Sequence, residues 1–420
     1  MNGLTKFGYR VFQKSMWVAM WFLPWHQNKG TLSGAGSIKQ LPKWIKEKEG
    51  CTSALIVTDG GLYKLGIADP IKEAFEKEGM KAVIYHDVVP NPTITNIEDG
   101  LRIYKENNCD VIIALGGGSP MDCAKGIGAR VMLPKKSVPQ LKGVLKVTLG
   151  KPFGKLPPLV AIPTTSGTGS EATLAAVISN PDTHEKYPIN DPKIIPRYIV
   201  MDPELTIGLP PHITSTTGMD ALTHALEAYV STEANDFTDA LAEKAVTLLM
   251  KFLPFAYTHG DDLEAREKVH NASCLAGMAF NKVGLGISHS IAHTIGGKFH
   301  LSHGRSNAIV LPHVIEYNAH LDGPEETVAA RKYQRMATLI GLPYSNVPLA
   351  VNSLIRKIRE MERLFGIPEN LKKAGIEPEE LMKHKDEMIH DALADTCTKT
   401  NPRIVGAADI EGILKQVGPL

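Results

Sequence analysis

Short apolar runs alternate with helical segments in the first half of the chain, and this alternation constrains the fold more than any other feature. The runs at 53–59, 82–85 and 111–115 have the length and composition of buried strands, and helices are predicted over 70–78 and 94–107. Strands that alternate with helices favour a mostly parallel sheet covered by helices. We therefore expect an α/β domain with a Rossmann-like parallel sheet.

The pattern of apolar residues changes after about residue 209. Strand-like runs disappear, and long segments with a helical spacing of apolar residues follow. The predicted helices cover 216–230, 236–253, 263–280, 287–296, 306–319, 325–340, 347–365 and 381–392. We expect three parts, namely an N-terminal extension over residues 1–30, an α/β domain over 31–210 and an all-α domain over 211–420.

Composition excludes some classes of function. The chain has 420 residues, 43% of them hydrophobic, which is enough for two domains with sizeable cores. The 46 basic residues are balanced by 45 acidic ones and form no long basic block, so we expect no nucleic-acid partner. The five cysteines are widely spaced without a C-x-x-C pair, which is typical of reduced thiols in a cytoplasmic protein.

The N-terminal extension contains an unusual aromatic stretch. Residues 16–25 are wholly apolar and include three of the four tryptophans. The stretch is too short to span a bilayer. A helix docked on the protein or on a second subunit is the favoured interpretation. The alternative is a peripheral contact with a membrane or partner through residues 9–26, because tryptophan and the preceding basic residues suit that interface.

Two glycine-containing loops follow predicted strands. The first is the run 116–122 (GGGSPMD), and the second is the hydroxyl-rich run 163–171 (PTTSGTGSE). Glycine allows the backbone to approach a phosphate, and the N-terminus of a following helix supplies amide donors. The spacing G-x-G-x-x-G fails in the first loop, because Met121 stands at the third glycine. Either loop alone could be structural, but together they favour a nucleotide site.

Asp59 ends the first strong strand. In dinucleotide-binding folds, an acid at a strand end can bond a ribose hydroxyl and repel a 2′-phosphate, which would favour NAD over NADP. A helix N-cap, or a turn with Gly60 and Gly61, explains the residue equally well.

An aspartate and several histidines recur at helical spacing in the second half. Asp220 and His224 are four residues apart, His289 and His293 repeat that spacing, and His303 follows. Residues four apart lie on the same face of a helix. Neutral imidazole and ionised carboxylate are common ligands of divalent metals. The sequence indicates a metal site, although helix pairs or satisfied core groups remain an alternative, because spacing alone does not bring two helices together.

Taken together, these motifs are similar to those of the iron-containing (group III) alcohol dehydrogenases. The resemblance runs from about residue 31 to the C-terminus. It rests on the runs 116–125 (GGGSPMDCAK), 163–173 (PTTSGTGSEAT) and 218–227 (GMDALTHALE), on the histidine block 284–304, and on 307–314 (NAIVLPHV). The resemblance implies a dinucleotide-binding α/β domain and an all-α metal-binding domain.

The resemblance also implies roles for individual residues. It places an Fe²⁺ on Asp220, His224, His289 and His303. His293 matches a histidine near the substrate that is a candidate for proton transfer, and Phe280 falls where a residue lines the substrate pocket. The cofactor positions fall on Asp59, Asn91, Gly117, Gly118, Ser119, Asp122, Thr164, Thr165, Thr168, Thr173, Lys186 and Leu205.

The activity implied is an NAD-dependent interconversion of short-chain primary alcohols and aldehydes, with aldehyde reduction favoured, in a homo-oligomeric enzyme. Three histidines and one aspartate could also bind Zn²⁺, Mn²⁺ or Ni²⁺, so iron comes from the resemblance. Alternatives within the same architecture are an oxidoreductase of propanediol, lactaldehyde or another polyol, and a lyase that uses NAD without net turnover. A non-catalytic membrane-associated binding protein is the alternative from a different class.

Overall fold

The computed structural model describes residues 28–183 and 185–418, so the aromatic stretch predicted to contact a partner or membrane lies outside the described residues. The first half contains nine strands within that part of the chain. They are β1 Gly30–Ser33, β2 Ser53–Asp59, β3 Lys81–Val88, β4 Val111–Gly116, β5 Gly143–Val144, β6 Leu159–Pro163, β7 Ala175–Ser179, β8 Lys186–Asn190 and β9 Tyr198–Met201.

Six of these strands form one parallel sheet in the order β1-β9-β6-β4-β2-β3. The other three form a small sheet in the order β5-β8-β7, in which β7 and β8 are antiparallel. The predicted Rossmann-like parallel sheet is therefore confirmed. Because parallel strands end at the same edge, the loops after β4 and β6 lie side by side, where ligands of open α/β sheets bind.

Helices cover both faces of the large sheet, and alternate side chains enter two different cores. Leu55 and Ile112 belong to one core, whereas their neighbours Ile56 and Ile113 belong to the other. Burial on both faces explains why these strands are continuously apolar instead of alternating. The helices of this half are α1 Leu41–Glu49, α2 Gly60–Lys64, α3 Asp69–Lys77, α4 Ile94–Glu106, α5 Gly118–Met132 and α6 Lys146–Gly150.

The second half is helical wherever it is regular, as predicted. Its helices are α7 Pro211–Val230, α8 Asp236–Thr258, α9 Leu263–Val283, α10 Ile287–Phe299, α11 His303–Ala319, α12 Val328–Leu339, α13 Val347–Leu364, α14 Pro378–Ala394 and α15 Ala407–Val417. They enclose a single large core that begins at Met219 and ends at Val417.

Several details of the helix prediction were wrong, among them the end of one long helix and the absence of the last one. The helix predicted to end at Leu253 continues through Pro254 to Thr258. Proline removes one helical hydrogen bond, but Ala256, beyond it, is fully buried, so packing outweighs that local cost. The last helix, α15, was not predicted, although its buried residues Ile410, Ile413, Leu414 and Val417 have helical spacing.

The two halves meet closely at a pair of glycines. Gly169, in the loop after β6, has a φ of 62°. A Cβ on Gly169 would lie 2.7 Å from the Cα atom of Gly277 in α9, and a Cβ on Gly277 would lie 2.9 Å from the Cα atom of Gly169. Only glycine on both sides permits this approach. Across residues 28–183 and 185–418, no helix combines the length and hydrophobicity that crossing a bilayer demands.

Candidate active site

Helices α7, α10 and α11 bring together the aspartate and three of the histidines. The Asp220 carboxylate has the Nε2 atom of His224 at 4.0 Å, that of His289 at 3.8 Å and that of His303 at 3.4 Å. One donor atom from each residue lies within 4.8 Å of all the others. These spacings are too long for hydrogen bonds, but tetrahedral ligands at about 2.1 Å from a metal are separated by about 3.4 Å.

Burial strengthens the case for a metal in this cluster. Asp220, His224 and His289 are buried, and the Nε2 atom of His289 has no hydrogen-bond partner. An unpaired polar atom in such a place is costly unless a ligand satisfies it. The His303 side chain is 42% exposed, so the cluster opens on one side. The four residues therefore fit a divalent cation with an accessible position.

The electrostatics of the cluster favour the ligand forms of its side chains. Burial, with the neighbouring histidines His224 and His303, lowers the pKa of His289 well below its usual value. Partial removal from solvent lowers the pKa of His303 as well, to about 4. For Asp220, burial acts in the opposite direction, but the three histidines and Asn307 lower its pKa overall. Neutral imidazoles around an ionised carboxylate are the forms that bind metals.

Phe280 and His293 lie beside the cluster. The Phe280 ring stacks on His224 with centroids 4.4 Å apart. The His293 ring stacks on His303 with centroids 5.2 Å apart, and its side chain is 46% exposed. Its Nδ1 atom lies 2.7 Å from the Oδ2 atom of Asp395. Phe280 thus forms an apolar wall, and His293 lies at the open side.

The two glycine-containing loops lie against each other. A Cβ on Gly117 would be 3.3 Å from the Oγ1 atom of Thr165, and a Cβ on Gly118 would be 3.3 Å from the Cγ2 atom of Thr168. Gly117 is the N-cap of the 15-residue helix α5, so its amide end and the threonine hydroxyls face the same junction. Backbone amides and hydroxyls placed in this way suit a phosphate. Thr164, buried at the end of β6, donates its backbone N–H to the Gly116 oxygen at 3.1 Å.

The other predicted cofactor residues occupy the surroundings of this junction. Asn91 has a φ of 58° and donates its N–H to the Ser119 hydroxyl at 3.2 Å. Asp122 accepts hydrogen bonds of 2.9 Å from the Ser170 hydroxyl and from the Val177 amide. The Thr173 hydroxyl accepts a bond of 3.1 Å from the buried Lys125 ammonium.

Three predicted cofactor residues lie on other elements. Asp59 is the N-cap of α2, and its Oδ1 atom accepts from Gly61 and Leu62 at 2.8 and 3.0 Å. This is the N-cap role that the sequence allowed as an alternative to a ribose contact. Lys186 begins β8 and is exposed, and Leu205 is half-buried in a short turn after β9.

Family models cover both halves of the chain. The description "Iron-containing alcohol dehydrogenase" belongs to the model that matches residues 28–203. The model that matches residues 214–418 is described as "Fe-containing alcohol dehydrogenase family, C-terminal". The chain belongs to the iron-containing alcohol dehydrogenase family. This membership confirms the resemblance that the motifs indicated. The protein is therefore an oxidoreductase that acts on CH–OH groups.

Relatives and solved structures agree with this membership. The dehydrogenase is 39% identical over 388 residues to the 1-propanol dehydrogenase of Citrobacter freundii, covering 92% of this chain and 97% of that protein. It is 37% identical over 385 residues to the NAD-dependent methanol dehydrogenase of Bacillus methanolicus, covering 91% and 96%. A crystal structure of 1,3-propanediol oxidoreductase aligns with a TM-score of 0.86 at 36% identity, covering 94% of this chain and 100% of that one.

Three residues of this alcohol dehydrogenase contact the site but were not singled out from the sequence. The Oε2 atom of Glu227 lies 2.5 Å from the Nδ1 atom of His289, and Asn307 donates to the Asp220 Oδ1 atom at 2.8 Å. The third is Asp395, on the His293 ring. Glu227 and Asn307 could have been found from spacing, since they lie seven and four residues after Asp220 and His303. Nothing local points to Asp395.

Proposed function

We propose that this chain is an NAD-dependent and Fe²⁺-dependent alcohol dehydrogenase that interconverts short-chain primary alcohols and aldehydes by hydride transfer. The observation that carries the proposal is the convergence of Asp220, His224, His289 and His303, with donor atoms within 4.8 Å of one another. The division into an α/β dinucleotide domain over 31–210 and a helical metal domain over 211–420 is part of the same proposal.

The nucleotide loop and the metal helix touch, which supports a shared active site. A Cβ on Gly167 would lie 2.7 Å from the Thr217 oxygen, three residues before the proposed ligand Asp220. A Cβ on Gly169 would lie 3.4 Å from Phe280, whose ring stacks on His224. A dinucleotide held by this loop would therefore present its reactive end near the metal residues, as hydride transfer requires.

The residues have distinct proposed tasks. A divalent metal on the four ligands would supply Lewis acidity to the substrate oxygen. The glycine and threonine loops orient the dinucleotide, and Phe280 excludes water from one side of the substrate. His293 exchanges the substrate proton, because imidazole titrates near working pH and this ring lies at the open side.

We propose iron because the chain belongs to the iron-containing family. The four ligands alone do not select one metal. Three histidines and one carboxylate bind Fe²⁺, Zn²⁺, Mn²⁺ and Ni²⁺. The test is NADH oxidation with a panel of short aldehydes, using protein purified anaerobically with Fe²⁺ and, in parallel, stripped protein loaded with Zn²⁺. Fast turnover with iron supports the proposal. No turnover with any aldehyde and any of these metals would overturn it.

A second candidate is an oxidoreductase of propanediol or another polyol. The observation in its favour is the TM-score of 0.86 with the 1,3-propanediol oxidoreductase structure. Comparing kcat/KM for 1-propanol, 1,2-propanediol and 1,3-propanediol with the same enzyme preparation discriminates the two. A diol preferred by tenfold or more would favour the polyol activity.

We further propose that the enzyme is a cytoplasmic homo-oligomer. All five cysteines are free, which fits a reducing compartment. Residues 9–26 remain proposed to contact a membrane or a partner. Cosedimentation with anionic vesicles, comparing the full chain with one that lacks residues 1–28, tests the membrane part, and light scattering measures the oligomeric state.

A further inference from the structure

Asp395 follows helix α14 and reaches the proposed active site from far away in the sequence. Its Oδ2 atom lies 2.7 Å from the Nδ1 atom of His293, which is 102 residues earlier. Its Oδ1 atom accepts the backbone N–H of Cys397 at 2.8 Å. The carboxylate is only 19% exposed. Both of its oxygens therefore have fixed partners, and both partners are donors.

The turn after Asp395 forms hydrogen bonds with helix α10 and with the residues just before it. The Thr398 hydroxyl donates to the Ala392 oxygen at 2.6 Å, and the Ser290 hydroxyl in α10 lies 2.7 Å from the Thr398 hydroxyl oxygen. The Thr400 hydroxyl donates to the Leu285 oxygen at 2.6 Å. Two of these contacts, with Ser290 and with the Leu285 oxygen just before α10, tie the turn to the helix that carries His293.

The contact with Asp395 decides which ring nitrogen of His293 carries the proton. An ionised carboxylate only accepts hydrogen bonds, so Nδ1 must be the protonated nitrogen. Burial opposes ionisation of Asp395, but the hydrogen bonds that it accepts from His293 and from the Cys397 amide help to lower its pKa to about 2. The Nε2 atom of the neutral ring is thus left with its lone pair available on the side away from Asp395.

We propose that Asp395 is a positioning residue that acts on the reaction through His293. It keeps the ring in one orientation with the proton on Nδ1, so that Nε2 accepts the proton of the substrate hydroxyl; NAD⁺, when bound, would take up the hydride. The resulting imidazolium is stabilised by the carboxylate and returns its proton to solvent at the exposed ring edge. In aldehyde reduction the same proton travels from Nε2 to the substrate oxygen. The inference rests on the proposed role of His293 as the proton carrier.

The competing explanation for the contact between His293 and Asp395 is that these residues bind a second cation. Donor atoms of His293, Asp395 and Cys397 lie within 4.8 Å of one another. The hydrogen bond between His293 and Asp395 nevertheless satisfies both groups without an ion, and the Cys397 thiol keeps a pKa well above its usual value, first through burial and then through Asp395. The metal content of the pure protein distinguishes the two, because the proposal expects one ion per chain.

Asp395→Asn is the most informative variant, because it should change which nitrogen of His293 carries the proton. The Cys397 amide still needs an acceptor, so the asparagine oxygen faces Cys397 and its NH₂ group faces His293. That arrangement forces Nδ1 to accept and moves the ring proton to Nε2. We expect kcat to fall about 100-fold while KM changes little. Asp391→Asn, an exposed residue one turn earlier on α14, is the matched control and should leave kcat unchanged.

A double-mutant cycle and a spectroscopic readout complete the test. If Asp395 acts through His293, Asp395→Asn in a His293→Gln background should change kcat by less than about twofold. An undiminished loss in that background would overturn the proposal, as would a second metal ion that disappears with Asp395→Asn. Histidine ¹⁵N spectra of the Zn²⁺-loaded protein should show the His293 proton on Nδ1 in the wild type and on Nε2 in the variant. The tautomer measurement needs no substrate, so it can be made even if none of the proposed alcohols is turned over. If the tautomer were the same in the wild type and in Asp395→Asn, the positioning role of Asp395 would be wrong, whereas the proposed dehydrogenase activity would be unaffected.

Discussion

The Nδ1 atom of His289 lies 2.5 Å from the Oε2 atom of Glu227, and both side chains are almost completely buried. The other Glu227 oxygen accepts the Ser288 N–H at 2.7 Å. Glu227 therefore fixes the ring of His289 so that Nε2 points away from it, toward Asp220. A carboxylate behind a metal-binding histidine sets the tautomer and raises the basicity of the ligand.

Glu227→Gln should weaken metal binding without removing a metal ligand. The Ser288 amide keeps the remaining oxygen, so the glutamine NH₂ group faces His289 and moves the ring proton to Nε2, the proposed ligand atom. We expect the metal affinity to fall about 10- to 100-fold, measured by competition with a chelator. Glu233→Gln, on the exposed surface after α7, is the control. Equal affinity in wild type and Glu227→Gln would show that the contact does not tune the metal.

The contacts that sequence reasoning could predict are the local ones. Helical spacing placed Asp220 and His224 on one face, and strand composition indicated the parallel sheet, because both patterns follow from backbone periodicity. The pairing of His293 with Asp395 spans 102 residues and depends on how α14 packs against α10. No spacing rule encodes such packing. For the same reason the sequence indicated a metal site but did not show that α7, α10 and α11 converge.

Asp59 should make the enzyme prefer NADH to NADPH. A test of this preference needs a variant that removes the carboxylate charge but keeps the N-cap of α2. Asp59→Ser keeps a good N-cap for Gly61 and Leu62 while it removes the carboxylate. If the carboxylate repels a 2′-phosphate, kcat/KM with NADPH should rise about tenfold or more. Asp59→Gly is the matched variant, and it loses the capping hydrogen bonds as well. No gain with NADPH in either variant would leave Asp59 as a helix cap alone.

Gly277→Ala should disturb the close backbone contact between α9 and the loop after β6. The new Cβ would lie 2.9 Å from both the Cα and the carbonyl oxygen of Gly169, and backbone atoms do not move as easily as a side chain. We expect a loss of about 1–3 kcal/mol in the free energy of unfolding, together with a higher KM for NADH. Gly412→Ala, in α15, meets nothing within 4 Å and should be neutral or stabilising. Thermal unfolding and steady-state kinetics measure both effects, and equal behaviour of the two variants would contradict the prediction.

Glu362, in α13, should make the stability of the protein depend on pH. Burial raises the pKa of Glu362 to about 7 from 4.5, although Arg359, at 2.9 Å, opposes the shift. The folded protein therefore holds this proton more tightly than the unfolded chain. Its stabilising contribution is complete below about pH 4.5 and is lost as the pH rises through 7.

Glu362→Gln mimics the protonated side chain and removes this dependence. Between pH 5 and 8, the wild type should lose up to about 3 kcal/mol of unfolding free energy relative to the variant. Urea unfolding at several pH values measures the difference. Glu360→Gln, whose exposed side chain lies on the same helix, is the control and should follow the wild type. A constant difference between wild type and Glu362→Gln across this range would mean that Arg359 keeps Glu362 ionised throughout.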